Sequence, residues 1–167
     1  MGDAHHLMSC YVLQESKEGV RMKEKRKQLR QHTRKEKLHC IILFNLTMKP
    51  SPNFFYMTGG YDGFGCLILL RDKEFLLVPP MEYEAAKRTV SGSKVTVFRK
   101  DFWKLVRKHA RGKAVGIDYG SVTLSFMKTL RKELRGRKFV DVSDVIRELR
   151  MIKTEKEQSI IRRAYAI

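Results

Sequence analysis

The chain has 167 residues, with 35 Lys+Arg against 18 Asp+Glu for a formal net charge of +17; this length holds one ordinary domain, or one domain with a tail, and excludes two large lobes. With 43% hydrophobic and 10% aromatic residues there is enough apolar surface to offset chain entropy, which excludes wholesale disorder. The charge fits a nucleic acid, an anionic membrane surface, an acidic protein or one part of a larger chain, and composition alone does not choose among them.

Residues 1–16 show no period and are expected to form a poorly ordered extension. From Lys17 to Lys37 ten Lys/Arg and three Glu surround the apolar residues Val20, Met22 and Leu29, a pattern that predicts a helix with one thin apolar stripe and a broad solvated face. His39 to Leu46 reads as a strand, closed by Lys49-Pro50-Ser51-Pro52-Asn53, where two prolines forbid a continuing strand or helix. Phe64 to Leu70 and Glu74 to Val78 form a hairpin across Arg71-Asp72-Lys73. A helix from Glu82 to Val90 and a strand from Lys94 to Phe98 follow. Phe102, Leu105, Val106 and His109 or Ala110 mark another helix, ended by Gly112. Ala114 to Asp118 and Phe139 to Val142 are strands on either side of a helix from Val122 to Leu134. Alternation with such crossovers predicts an α/β fold, and the hairpin makes the sheet mixed.

Thr154 and Glu157 form a capping box that starts a helix near Glu155. Its apolar residues Ile160, Ile161, Ala164 and Ile167 keep helical spacing with no Gly, Asn or Pro to close it, so the helix is expected to continue beyond the chain given.

Little in the sequence carries catalytic chemistry. Cys10, Cys40 and Cys66 make no CxxC pair, which argues against a disulfide scaffold or a tetrahedral zinc site and for a reducing, cytoplasmic setting. Cys40 and Cys66 open apolar runs and read as small buried hydrophobes. His5, His6 and Cys10 could ligate a metal, although at a terminus they read as a frayed end. There is no G-x-S-x-G elbow, and His109 sits among core-like residues. Asp118, Asp141 and Asp144 lie at strand ends without a histidine nearby in sequence, which suits turns or N-caps better than a metal site. The segment Gly59 to Gly65 is glycine-rich but precedes a strand, so it is neither a Walker loop nor a dinucleotide fingerprint. It reads as a tight turn or as a loop lining a ligand or partner surface. Nonspecific nucleic-acid binding stays open on charge, while no RNP-like strand, zinc finger or helix-turn-helix spacing points to specific recognition. No apolar run approaches the ~18 residues of a membrane span.

Asn53-Phe54-Phe55-Tyr56-Met57-Thr58-Gly59 resembles the Asn-x-x-Tyr-Leu-Thr-Gly stretch of the amino-terminal domain shared by prolidases, Xaa-Pro aminopeptidases and creatinases. Leu76 to Ala86, Gly116-Ile117-Asp118 and Ile146 to Glu157, which contains Arg150-Met151-Ile152-Lys153-Thr154, are similar to later segments of that domain in the same order. The chain departs from the pattern at Gly60, where an aromatic is common, and at Gln158, where Ile is common.

The resemblance implies a mixed sheet flanked by helices in a ribonuclease H-like layout, without that enzyme's acidic site. It implies an N-terminal domain over residues 17–153 and, over 154–167, the start of a linker helix toward a catalytic domain outside this chain. That domain would hold two divalent metal ions of the Mn, Co or Zn class and cleave short proline-containing peptides, and this chain would hold no cofactor and be inactive alone. The resemblance further implies homodimer formation and a substrate-access loop comprising Tyr56, Gly59, Gly60, Tyr61, Asp62 and Phe64, with Tyr61 and Asp62 as its polar reach. A basic nucleic-acid-binding or protein-interaction module is the alternative.

Overall fold

A computed structural model describes residues 24–47 and 51–165. The segment 1–16, with His5, His6 and Cys10, and the first part of the basic helix lie outside the described residues. Helix α1 covers 24–35. It is followed by β1 (Cys40–Asn45), α2 (Pro52–Thr58), β2 (Gly65–Leu70), β3 (Glu74–Val78), α3 (Tyr83–Thr89), β4 (Lys94–Val97), α4 (Phe102–His109), β5 (Ala114–Ile117), α5 (Leu124–Glu133), β6 (Lys138–Asp141), α6 (Ser143–Met151) and α7 (Glu155–Tyr165). Short 3-10 turns, Pro80–Glu82 and Tyr119–Ser121, precede α3 and α5.

The six strands make one mixed sheet in the order β4-β3-β2-β1-β5-β6, as the hairpin and crossovers predict. β2 is antiparallel to both β1 and β3, whereas β4 is parallel to β3 and β5 and β6 continue parallel from β1. Five strands therefore start at one end of the sheet, and only β2 starts at the other. One face packs Leu29 of α1, Phe54 and Met57 of α2, Ala86 of α3 and Ile146 of α6 against Ile41, Leu43, Leu67 and Leu69. The opposite face packs Val106 of α4 and Met127 and Leu130 of α5 against Ile42, Cys66, Ile68 and Val115. With both faces covered, β1 is buried at every position, which is why it reads as a continuous apolar run rather than an alternating one. No helix among the described residues is long and apolar enough to cross a membrane.

β1 ends at Asn45, before the two prolines, as expected, and Pro52 in addition opens α2: it sits in the first turn, where its missing N–H is not needed, and Ser51 caps the helix by accepting from the Phe54 amide at 3.2 Å. Two expectations are corrected. Gly112 does not end α4, whose last residue is His109 with Ala110 as its cap. It lies beneath His39 instead, and a Cβ there would stand 2.1 Å from the His39 Cβ. The basic helix α1 does not bury only apolar residues, since Lys25 and Arg26 are buried beside Leu29 and Thr33. Lys25 Nζ donates to the carbonyls of Leu149 and Ile152 at 2.9 and 3.0 Å, closing the C-terminus of α6. Arg26 donates to Met57 O at 2.8 Å, Ser91 O at 3.0 Å and Glu74 Oε2 at 2.5 Å. Arg30 pairs with the other Glu74 oxygen, so one buried carboxylate bridges two guanidinium groups of α1 and offsets one of their two charges.

Candidate functional site

The predicted loop leaves α2 through two glycines. Gly59 (φ 80°) and Gly60 (φ 105°) both lie in the left-handed region, which a side chain would penalise. Their amides donate to Tyr56 O at 3.2 Å and Phe55 O at 2.9 Å, closing the helix as a Schellman motif. The buried Thr58 hydroxyl faces the carbonyls of Phe54, Phe55 and Tyr61 at 2.9, 3.0 and 3.1 Å, and its single proton serves one of them at a time.

Tyr61 does not reach outward as expected; it is only 2% exposed. Its ring packs beside Phe54, with centroids 6.0 Å apart. Its hydroxyl lies 3.0 Å from Glu82 Oε2 and 3.1 Å from Phe64 O. Burial, and then the Glu82 carboxylate that accepts its hydrogen bond, push the phenol up from its ordinary value. Gly63 is required by this arrangement: a Cβ there would meet Glu82 Oε2 at 2.2 Å and the Tyr61 hydroxyl at 2.5 Å. From the end of β1, Asn45 ties down the other side of the loop. Its Nδ2 donates to Asp62 O and Gly63 O at 2.8 and 2.9 Å, and its Oδ1 accepts from the Ser51 amide at 2.9 Å. The loop is therefore held at both ends through buried groups, Asp62 is its exposed charged side chain, and Phe64 is half-buried.

Tyr56, the remaining predicted residue, faces the other way. It lies toward Glu157 in the first turn of α7, and burial followed by that carboxylate raises its pKa. Glu157 accepts from the Thr154 amide at 2.7 Å while its own amide donates to Thr154 Oγ1 at 3.3 Å, which completes the predicted capping box.

Beside them runs a buried polar relay absent from the sequence reading. Arg150 Nη1 donates to Asn53 Oδ1 at 2.8 Å, and Asn53 Nδ2 donates to Asp118 Oδ2 at 2.9 Å. Asp118, expected in a turn or cap, has a 2% exposed side chain that makes no cap hydrogen bond. Asp141 does hold a turn, accepting from the Ser143 amide and hydroxyl at 2.9 and 2.5 Å and the Tyr119 amide at 3.3 Å. Burial would raise its pKa, but these donors hold it below the ordinary carboxylate value. Asp144 pairs with Arg147 on the surface of α6 at 3.0 Å.

Cys40 and Cys66 are buried, with Cys40 pushed up to about 12 by burial and Cys66 raised well above its ordinary value, so neither supplies a thiolate. His109 stacks on Phe75 with centroids 3.8 Å apart. Among the described residues no group of three or more His, Cys, Asp or Glu could hold a metal ion. What the arrangement provides is a short loop with a fixed base and one free carboxylate. Asn45 and Glu82, which fix it, were missed; the signal for Asn45 was a polar residue ending an apolar strand, and Glu82 gave none.

A model of the Creatinase/Prolidase N-terminal domain matches residues 25–152. An Xaa-Pro dipeptidase of Pyrococcus horikoshii is 33% identical over 149 residues, covering 87% of this chain and 40% of that protein. An Xaa-Pro dipeptidase of Pyrococcus furiosus is 32% identical over 117 residues, covering 69% of this chain and 32% of that protein. The crystal structure of the prolidase from Pyrococcus horikoshii OT3 superposes with a TM-score of 0.71 at 30% identity, over 84% of this chain and 39% of that one. The N-terminal domain of the cytoplasmic peptidase PepQ from Mycobacterium tuberculosis H37Rv shares the fold, with a TM-score of 0.62 at 19% identity, over 75% of this chain and 98% of that domain. The chain thus spans 40% or less of the length of these two curated relatives.

Proposed function

The chain belongs to the creatinase/prolidase N-terminal domain family, and from that premise we propose that it is the non-catalytic N-terminal domain of a metal-dependent Xaa-Pro dipeptidase or aminopeptidase, with residues 17–153 as the domain and 154–167 as the start of a linker helix. In this reading the parent protein is a cytoplasmic homodimer that cleaves short proline-containing peptides. In this reading its two divalent metal ions are held by residues outside this chain; among the described residues no group of three or more His, Cys, Asp or Glu could hold one. The domain contributes to pairing the subunits, and its loop from Gly59 to Phe64 narrows the path to the catalytic centre.

The observation that carries the access role is the fixed loop base combined with an exposed Asp62. A loop that limits substrate size must hold its shape against an entering peptide, and buried hydrogen bonds from Asn45 and Tyr61 supply that resistance. The exposed Met151, Ile152 and Tyr165 around α7 support docking of a further domain there. The chain alone, given Mn²⁺ or Co²⁺, is expected to leave Xaa-Pro dipeptides intact; turnover above blank would contradict the assignment. In the full-length protein Asp62→Ala should change kcat/KM for these dipeptides while leaving metal content unchanged.

A further inference from the structure

The two ends of the sheet differ in charge. At the end where β1, β3, β4, β5 and β6 start, segments 36–39, 71–74, 91–94, 110–113 and 134–138 carry nine Lys/Arg and three acids, Glu36, Asp72 and the buried Glu74. At the other end, segments 45–47, 59–64, 79–82, 98–101, 118–122 and 141–143 carry two Lys/Arg and five acids. Five of the nine cations are Lys94, Arg111, Lys113, Arg135 and Lys138, all exposed. Among the described residues none of these five is in an ion pair, whereas Arg107 nearby is held by Glu133.

Stabilisation of helix ends accounts for only part of this charge. Basic residues in the last turns of α4 and α5 favour the helix dipoles. Lys94, Lys113 and Lys138 instead stand at strand starts, where no such dipole acts. The density of positive charge is felt inside the fold: burial first, and then Lys108, Arg111 and Lys94, lower the pKa of His109.

The apolar residues identify the kind of partner. A protein interface has an apolar centre with aromatic anchors, yet none of the exposed large hydrophobic side chains lies in the five basic segments. Single-stranded nucleic acid is gripped by stacking on exposed aromatics, and none is present there. A surface of unpaired Lys and Arg without apolar anchors matches the contacts made to duplex phosphates. Six strands at ~4.8 Å spacing make this end about 24 Å wide, enough to face several phosphates of a duplex that carries one charge per ~1.7 Å.

We propose that the strand-start end of the sheet is a docking surface for the phosphate backbone of a duplex nucleic acid, bound without sequence preference. The proposal is independent of the peptidase reading, which concerns the opposite end.

The test is fluorescence anisotropy of the 167-residue chain with a labelled 20-base-pair duplex, as RNA and as DNA, between ~0.05 and ~0.2 M salt. Binding should weaken with a log–log slope of about −4, the value for roughly four to five neutralised phosphates. Arg111→Glu with Arg135→Glu should make the slope shallower by about two. The control Arg99→Glu with Lys100→Glu removes the same charge from the other end and should leave the slope unchanged. Arg111→Gln with Arg135→Gln repeats the comparison without charge reversal, and circular dichroism confirms that each variant folds. Equal binding of both duplexes supports a shared backbone surface, and a preference for one supports it while naming the source. No binding at ~0.05 M salt, equal loss in the control, tighter binding of a single strand, or displacement by polyglutamate at equal charge concentration would each overturn the proposal, the last in favour of an acidic protein.

Discussion

At the loop end of the sheet polar groups are spent on one another: Asn45 on the loop carbonyls, Tyr61 on Glu82, Asn53 on Asp118 and Arg150, Asp141 on Ser143. At the strand-start end most charged groups are left to solvent, and the exception is the buried Arg26–Glu74–Arg30 cluster. The difference teaches that charge on this chain follows no single logic. Where a loop must keep its shape, polar side chains pair with one another, and Asn45, Asn53, Tyr61 and Asp118 are buried in doing so. Where cations crowd without partners, shape is kept by the apolar layers beneath them.

The Glu74 cluster offers the strongest way to break this contrast, since it uses at the basic end the kind of buried pairing typical of the loop end. Glu74→Ala leaves Arg26 buried and uncompensated, and should cost about 3–5 kcal/mol in urea-unfolding stability; a loss under about 1 kcal/mol would show that the carboxylate does not neutralise it. Next in size is Gly63→Ala, which forces a methyl group toward Glu82 and Tyr61 and should cost roughly 1–3 kcal/mol. Tyr61→Phe removes one hydrogen bond and should cost about 1 kcal/mol, because Glu82, half-exposed, recovers a water. If Gly63→Ala were neutral, the loop base would be looser than its hydrogen bonds indicate.

The sheet was legible because β1, β2 and β3 are buried apolar runs whose identity needs no partner to be recognised. The loop's sequence was legible too, through the glycines that leave α2 and the motif before them. The orientation of Tyr61 was not, because the acceptor that draws its hydroxyl inward lies 21 residues away at Glu82. The burial of Arg26 was hidden for the same reason: periodicity weighs apolar residues, while its burial depends on a carboxylate 48 positions further along. The start of α2 was not legible either, because a proline interrupts a helix anywhere except in its first turn.

The smallest effect concerns pH and sharpens the charge contrast. The pKa of His109 is lowered in the folded protein by burial and then by Lys108, Arg111 and Lys94. The unfolded chain therefore binds a proton more readily, so this contribution to stability is present above the unfolded value of ~6.5 and falls as pH drops below it. Unfolding midpoints at pH 7.5 and pH 5 should differ more for the parent chain than for His109→Gln, and an equal difference would mean that the basic end does not act on this ring.

The most direct measurement of the central claim compares both ends in the full-length protein. Asp62→Ala at the loop and Arg135→Glu at the basic end are assayed for kcat/KM on an Xaa-Pro dipeptide and on a longer Xaa-Pro peptide. An access role for the loop predicts that Asp62→Ala alone shifts the ratio between the two substrates, with Arg135→Glu matching the parent. An unchanged ratio in Asp62→Ala, or an equal shift in both variants, would contradict it.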